Sequence, residues 1–199
     1  MASTIRQDIV NIPNSLTMIR IIIIPVVMWL IHQGDPKSCM IAALAFTGAA
    51  ITDFFDGYIA RKRNLVSMTG KFLDPLADKL IVMATLVMLS AVGRLEAWIV
   101  VVIVAREISI TGLRALASTE GILIASESGG KFKTAFQLIG LIGLIVHYDY
   151  VTDWWLWQSH INYQRLGLWV LLISVIFSLT SAWTYFLGFL KGIGEIGKD

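Results

Sequence analysis

Residues 72–116 read FLDPLADKLIVMATLVMLSAV, then Gly93-Arg94-Leu95-Glu96, then AWIVVVIVAREISITGLRAL. Each flank is about as long as a helix must be to cross the hydrocarbon of a bilayer. The four residues between them leave room only for a tight turn. Within lipid a backbone must satisfy its own hydrogen bonds, so two such runs read as a helical hairpin.

The composition extends that reading outward. The chain has 199 residues, of which 56% are hydrophobic and 15% charged, and its mean hydropathy is +0.73. Soluble domains carry about 25% charged residues, so too few charges are present to cover a water-facing surface. A disordered chain is excluded, and so is a disulfide-stapled one, since Cys39 is the single cysteine. Six spans would use about 120 positions and leave only short connections. The expected fold is an all-α integral membrane protein, a single transmembrane domain over residues 1–199. Its chemistry must come from residues on the spans or at their ends.

The spans are expected at about Leu16–Ile31, Met40–Ile59, Phe72–Val92, Ala97–Leu116, Phe132–Val146 and Leu166–Leu187. Met1–Val10 reads equally as a short amphipathic helix on the membrane surface or as a frayed tail. No cleaved signal peptide is expected. Pro13-Asn14-Ser15 is a helix-start signal. Residues 147–165 read as a loop. With six passes, one side holds thirteen of the sixteen Lys and Arg, leaving Lys37, Arg94 and Arg165 opposite. Basic residues stay inside, so both termini and the 61–71 and 117–131 connections are expected in the cytoplasm.

Four carboxylates gather at that side. Asp53 and Asp56 lie near the end of the second span, and Asp74 and Asp78 at the start of the third. A carboxylate at membrane depth costs several kcal/mol and marks function by default. At about 100° per residue, Asp56, Gly57 and Ala60 fall within roughly 60° of Asp53. An antiparallel hairpin would bring both acidic pairs together, where they repel unless cations lie between them. Oxygen ligands without His or Cys suit Mg²⁺, Mn²⁺ or Ca²⁺ rather than Zn²⁺. Such ions can bridge carboxylate and phosphate. The plainer reading is that the acids pair with Arg61, Lys71 and Lys79 as solvated helix ends.

The run Asp53-x2-Asp56-Gly57-x2-Ala60-Arg61-x8-Gly70-x3-Asp74-x3-Asp78 resembles the complete signature of the CDP-alcohol phosphotransferase family. The resemblance implies six membrane helices, usually in a dimer, and attack of an alcohol on a CDP-linked lipid with release of CMP. It implies two divalent cations, Mg²⁺ or Mn²⁺, held by Asp53, Asp56 and Asp74. Asp78 would be the general base and a further metal contact. Asp56, Gly57, Ala60, Arg61 and Gly70 would bind the CDP-lipid.

Further segments resemble the bacterial branch of that family that joins CDP-diacylglycerol to glycerol 3-phosphate. They are Asn11-Ile12-Pro13-Asn14-x2-Thr17-x2-Arg20, Asp74-Pro75-Leu76-Ala77-Asp78-Lys79, Ala105-Arg106-Glu107 with Thr111-Gly112-Leu113-Arg114, and Gly130-Lys131-x-Lys133-Thr134. The resemblance implies synthesis of phosphatidylglycerophosphate in a bacterial cytoplasmic membrane, with no nucleic-acid partner. Asn14 and Thr17 are candidate nucleotide contacts, although helix capping explains Asn14 nearly as well. Arg forks and Lys point charges suit phosphate oxygens. Arg106, Arg114 and Lys131 are therefore the expected acceptor-phosphate pocket. Lys133 is the second choice for that pocket and reads more plainly as a headgroup anchor, and Glu107 as an offset to a neighbouring cation.

Other residues read plainly. Trp154, Trp155 and Trp157 suit an aromatic belt at the far interface. His147 and His160 lie opposite the acids and are not read as ligands. Met83 and Met88 read as packing. Two other functions compete. One is the same transfer to inositol phosphate, serine or phosphatidylglycerol. The other is a cation transporter built on the four carboxylates, which Arg61, Arg106 and Arg114 would oppose by repelling the permeant ion.

Overall fold

The structure, a computed structural model, describes residues 12–63, 68–122, 129–154 and 157–196. At 12–17, 53–63, 68–76, 78, 129–131, 150–154, 157–160 and 195–196 it describes backbone alone. Met1–Val10 and Trp155 lie outside the described residues. Among the described residues six helices follow in order: α1 Ile12–Gln33, α2 Pro36–Arg63, α3 Met68–Ala91, α4 Ala97–Thr119, α5 Gly129–Val146 and α6 Tyr163–Ile196. They match the six expected segments, mostly with one extra turn or more at an end. Since α1 is already helical at Ile12, Asn14 stands inside its first turn and the capping reading of Asn14 fails. Over Tyr163–Gly194, α6 is long and apolar enough to cross a membrane by length and composition.

The expected loop at 147–165 is instead a β-hairpin running into α6. Strand β1, Asp149–Trp154, pairs antiparallel with β2, Trp157–Asn162. Thr152 faces Ser159 and Val151 faces His160 in the register. The aromatic and β-branched residues Tyr150, Val151, Thr152 and Trp154 carried a strand signal that the search for long apolar runs overlooked.

The tight turns behave as their residues dictate. Gly34 and Gly93 take φ of +75° and +73°, which only glycine adopts without strain, and each ends a helix. Asp35 then starts α2, its Oδ2 accepting the Ser38 backbone N–H at 3.0 Å. Arg94 ties the connections together. Its guanidinium donates to the Ile145 carbonyl at 3.0 Å and reaches Cys39 Sγ at 3.4 Å. Tyr148 donates its hydroxyl to the Gly34 carbonyl. The α1–α2, α3–α4 and α5–β1 connections therefore meet at one end of the bundle, the hairpin end.

Among the described residues, the buried side chains lie mostly towards that end. Val27 and Ile31 of α1, Phe46 of α2, Leu86 and Leu89 of α3, Leu141 and Leu144 of α5 and Leu171 of α6 are fully buried. Among the described residues α1 packs on both α2 and α3, and α5 packs on α6 over the longest interface. There glycines set the distance. A Cβ on Gly143 would lie 2.8 Å from the Gly167 Cα, and one on Gly140 would lie 2.8 Å from the Leu171 nitrogen. Such backbone approach is how helices associate where no hydrophobic force drives them together.

The outer surface is apolar: Ile22, Leu44, Val101 and Ile176 are all more than half exposed. Contiguous apolar surface on this scale suits lipid rather than water. Trp29, Trp98 and Trp169 are exposed near the hairpin ends of α1, α4 and α6, where an interfacial belt would lie. The side chains of Trp154 and Trp157 lie outside the described ones. Thr85, Ser174 and Thr180 hydrogen-bond carbonyls of their own helices, so their hydroxyls need no water.

Candidate active site

The acidic residues lie at the opposite end, on helices whose backbone is described and whose side chains there are not. Helical register still places them. On α2 the buried Ala42, Phe46 and Ala49 form a stripe with steps of four and three. The same steps continue to positions 53, 56 and 60. On α3 the buried Ala77, Ile81 and Thr85 form a stripe that also runs through positions 74 and 78. Asp53, Asp56, Ala60, Asp74 and Asp78 thus occupy positions in line with the core-facing stripes of α2 and α3. Gly57, Arg61, Gly70 and Lys131 belong to α2, α3 and α5, and Asn14 and Thr17 to the first turns of α1. The side chains of all these residues lie outside the described ones. Among the described residues no group of His, Cys, Asp and Glu gathers that could hold a metal.

Depth agrees with register. At about 1.5 Å per residue from the hairpin end, Asp53, Asp74 and Arg114 all come at about 25 Å, and Arg20, Asp78 and Lys133 at about 20 Å. Arg20, on the face of α1 that buries Val27, is only 3% exposed. An arginine within the apolar run 16–31 is itself a functional signal. Counting it simply among the cytoplasmic cations missed it.

Starting one residue on from position 78, α3, α4 and α5 line an open pocket. Its apolar wall includes Val82, Leu86 and Ile103, and its polar wall is Lys79, Glu107, Lys133, Thr134 and Gln137. Glu107 organises that wall. Its Oε2 accepts from Lys133 Nζ and, at 3.2 Å, from Arg106 Nη1. Its Oε1 lies 3.9 Å from Lys79 Nζ. Lys79 also donates to the Thr111 hydroxyl, which donates to the Glu107 carbonyl at 2.7 Å.

Two of the expected acceptor cations, Arg106 and Arg114, take separate partners. Arg106 is turned towards α6, its Nε donating to the Ser178 carbonyl at 3.0 Å, and it does not line the pocket. The Arg114 guanidinium lies over the Tyr185 ring, 5.5 Å from its centroid. Lys133 corrects the anchor reading. It is 8% exposed, lines the pocket and pairs with Glu107, whereas a headgroup anchor would point outward. Met83 also lines the pocket rather than only filling the core. Sequence reasoning gave Lys79 to the aspartates, quoted Thr134 only within a motif and passed over Gln137; the three share the pocket only because α3 and α5 converge there.

A bundle of apolar helices with a carboxylate signature on two interior faces defines a class. The profile of the CDP-alcohol phosphatidyltransferase family matches residues 10–180, and the chain belongs to that family. Named relatives narrow the likeness. One is the CDP-diacylglycerol--glycerol-3-phosphate 3-phosphatidyltransferase of Bacillus subtilis (strain 168). It is 38% identical over 191 residues, covering 88% of this chain and 93% of that protein. Proteins of the same name from Rickettsia bellii (strain RML369-C) and Salmonella choleraesuis (strain SC-B67) are 37% and 33% identical. Each alignment covers 88% of this chain, with 93% and 92% of the respective relative.

Proposed function

We propose that this transferase moves the phosphatidyl group of CDP-diacylglycerol to glycerol 3-phosphate and releases CMP. The observation that carries the reading is a junction on α3. Asp78 closes the carboxylate signature, and the next side chain, Lys79, lines a cationic pocket. The names of the relatives point to the same substrates.

The donor set fits a hard divalent cation, being all carboxylate and on the interior-facing register of two neighbouring helices. Asp53, Asp56, Asp74 and Asp78 would hold two such ions, Mg²⁺ or Mn²⁺. Bound there, they would neutralise the diphosphate and the departing CMP. The protein's own residues supply the rest. Asp78 accepts the proton of the acceptor hydroxyl. The acceptor oxygen then forms a bond to the phosphorus that carries diacylglycerol, and the bond from that phosphorus to the CMP oxygen breaks. Asn14, Thr17, Gly57, Ala60, Arg61 and Gly70 would bind the CDP-lipid around Asp56. Lys79 and Lys133 would hold the acceptor phosphate, with Arg106 behind them on Glu107 and Arg114 and Lys131 nearer the cytoplasm.

The donor's acyl chains stay in the bilayer while acceptor and CMP exchange with water. The reading therefore includes six passes through a bacterial cytoplasmic membrane, both termini in the cytoplasm, and a homodimer. Purified protein in detergent, given CDP-diacylglycerol and Mg²⁺, is expected to release CMP with glycerol 3-phosphate and to stop on adding a chelator. Release with serine or inositol phosphate but not glycerol 3-phosphate would reassign the acceptor. Cation flux in vesicles without CMP release would replace the enzyme by a transporter.

A further inference from the structure

Glu107 is the one acidic side chain lining the described pocket. It stands on an apolar helix, where a carboxylate is costly unless partnered. Its partners are three cations from three directions: Lys79 on α3, Arg106 beside it on α4 and Lys133 on α5. Without the carboxylate between them these cations would repel, and the flexible lysines would swing apart. With it they form a cluster carrying two uncancelled positive charges. Lys79 and Lys133 present that surplus to the pocket. A phosphate monoester carries close to two negative charges at neutral pH.

We propose that Glu107 is a positioning and specificity-determining residue. It clasps Lys79, Arg106 and Lys133 into a preformed cradle whose surplus charge matches a phosphate monoester, and so selects an acceptor alcohol that bears one. The inference rests on the proposed transfer to glycerol 3-phosphate. The clasp acts before the substrate arrives, so ordering of the two lysines is not charged against binding. Glu107 touches neither substrate in this scheme and works through Lys133 and Lys79.

The test compares wild type with Glu107→Gln, Glu107→Asp, Lys133→Gln and the Glu107→Gln/Lys133→Gln pair, each confirmed monodisperse in detergent. Glu107→Gln and Lys133→Gln are each expected to raise the KM for glycerol 3-phosphate about tenfold, a typical effect for one hydrogen-bonded charge. The KM for CDP-diacylglycerol should stay within about twofold. The double variant should be no worse than the worse single one, since one residue acts through the other. Glu107→Asp, which keeps the charge on a shorter stem, should recover part of the loss. Equal rises in both KM values, or multiplying single effects, would overturn the role. So would an unchanged KM in Glu107→Gln.

A binding arm needs no turnover. Calorimetry with inorganic phosphate should show binding to wild type that weakens about tenfold in Glu107→Gln. Weakened phosphate binding in an enzyme that ignores glycerol 3-phosphate would sink the acceptor assignment and keep the clasp. Unchanged phosphate binding in Glu107→Gln would sink the clasp and leave the acceptor assignment standing.

Discussion

Single residues carry this chemistry because the bilayer makes every charge expensive. Asp78→Asn keeps the volume and loses the base. It is expected to lower kcat by a factor of about 10² to 10⁴, the usual worth of a positioned general base, with CDP-diacylglycerol binding within about threefold of wild type. Turnover near the wild-type rate, read as CMP release, would remove Asp78 from that role. Arg106 serves two partners, the Ser178 carbonyl on α6 and the Glu107 carboxylate. Arg106→Ala should therefore raise the KM for glycerol 3-phosphate more than that for the lipid donor, and should also lower the melting temperature in detergent. An equal rise in both KM values would take Arg106 out of acceptor binding. The carboxylate signature was legible at this scale because it is a spacing in one chain. The Glu107 cluster was not, because its members come from residues 79, 106, 107 and 133, which only the packing of α3, α4 and α5 brings together.

At the scale of elements, the α5–α6 contact is the tightest among the described residues and the easiest to test. A methyl group on Gly143 would stand 2.8 Å from the Gly167 Cα, so Gly143→Ala must push two helices apart. Overpacking of that kind costs about 1–3 kcal/mol. Gly48 on α2 has nothing within 4 Å of its own added methyl. Gly48→Ala should therefore be neutral or stabilise by about 0.5–1 kcal/mol, the helix propensity difference. Thermal unfolding of both variants in detergent checks the pair, and a neutral Gly143→Ala would contradict the close approach. Helices were legible as long apolar runs, and their ends as Gly, Pro and Asp. The β-hairpin at 149–162 was missed because six-residue strands of mixed polar and apolar residues between two spans resemble any polar connection.

At the scale of the whole molecule, the hairpin end is where, among the described residues, the connections between helices meet. At the hairpin end, burial foremost and the Arg94 guanidinium beside it push His147 below the ordinary imidazole range. The folded state thus favours neutral His147. Above about pH 6.5 both folded and unfolded forms hold it neutral and stability is complete. As pH falls below that value, the unfolded chain takes up the proton first and stability is lost. The wild-type melting temperature should drop from about pH 7 to about pH 5.5. His147→Gln should flatten that drop, and a variant with the same slope would clear His147 of it.

The sequence alone determined that this chain is built from apolar helices. It also determined that four aspartates recur at a spacing that places each pair on one helix face. Both are properties of one strand of polymer, set by the length of a span and the pitch of a helix. Tertiary structure decided which cations share a site. Lys133 turned from a surface anchor into a buried pocket residue, and Arg106 turned towards Ser178. A side chain's partners depend on which helices cross and how closely, and glycines at 140, 143 and 167 set that distance through contacts more than twenty residues apart in the chain.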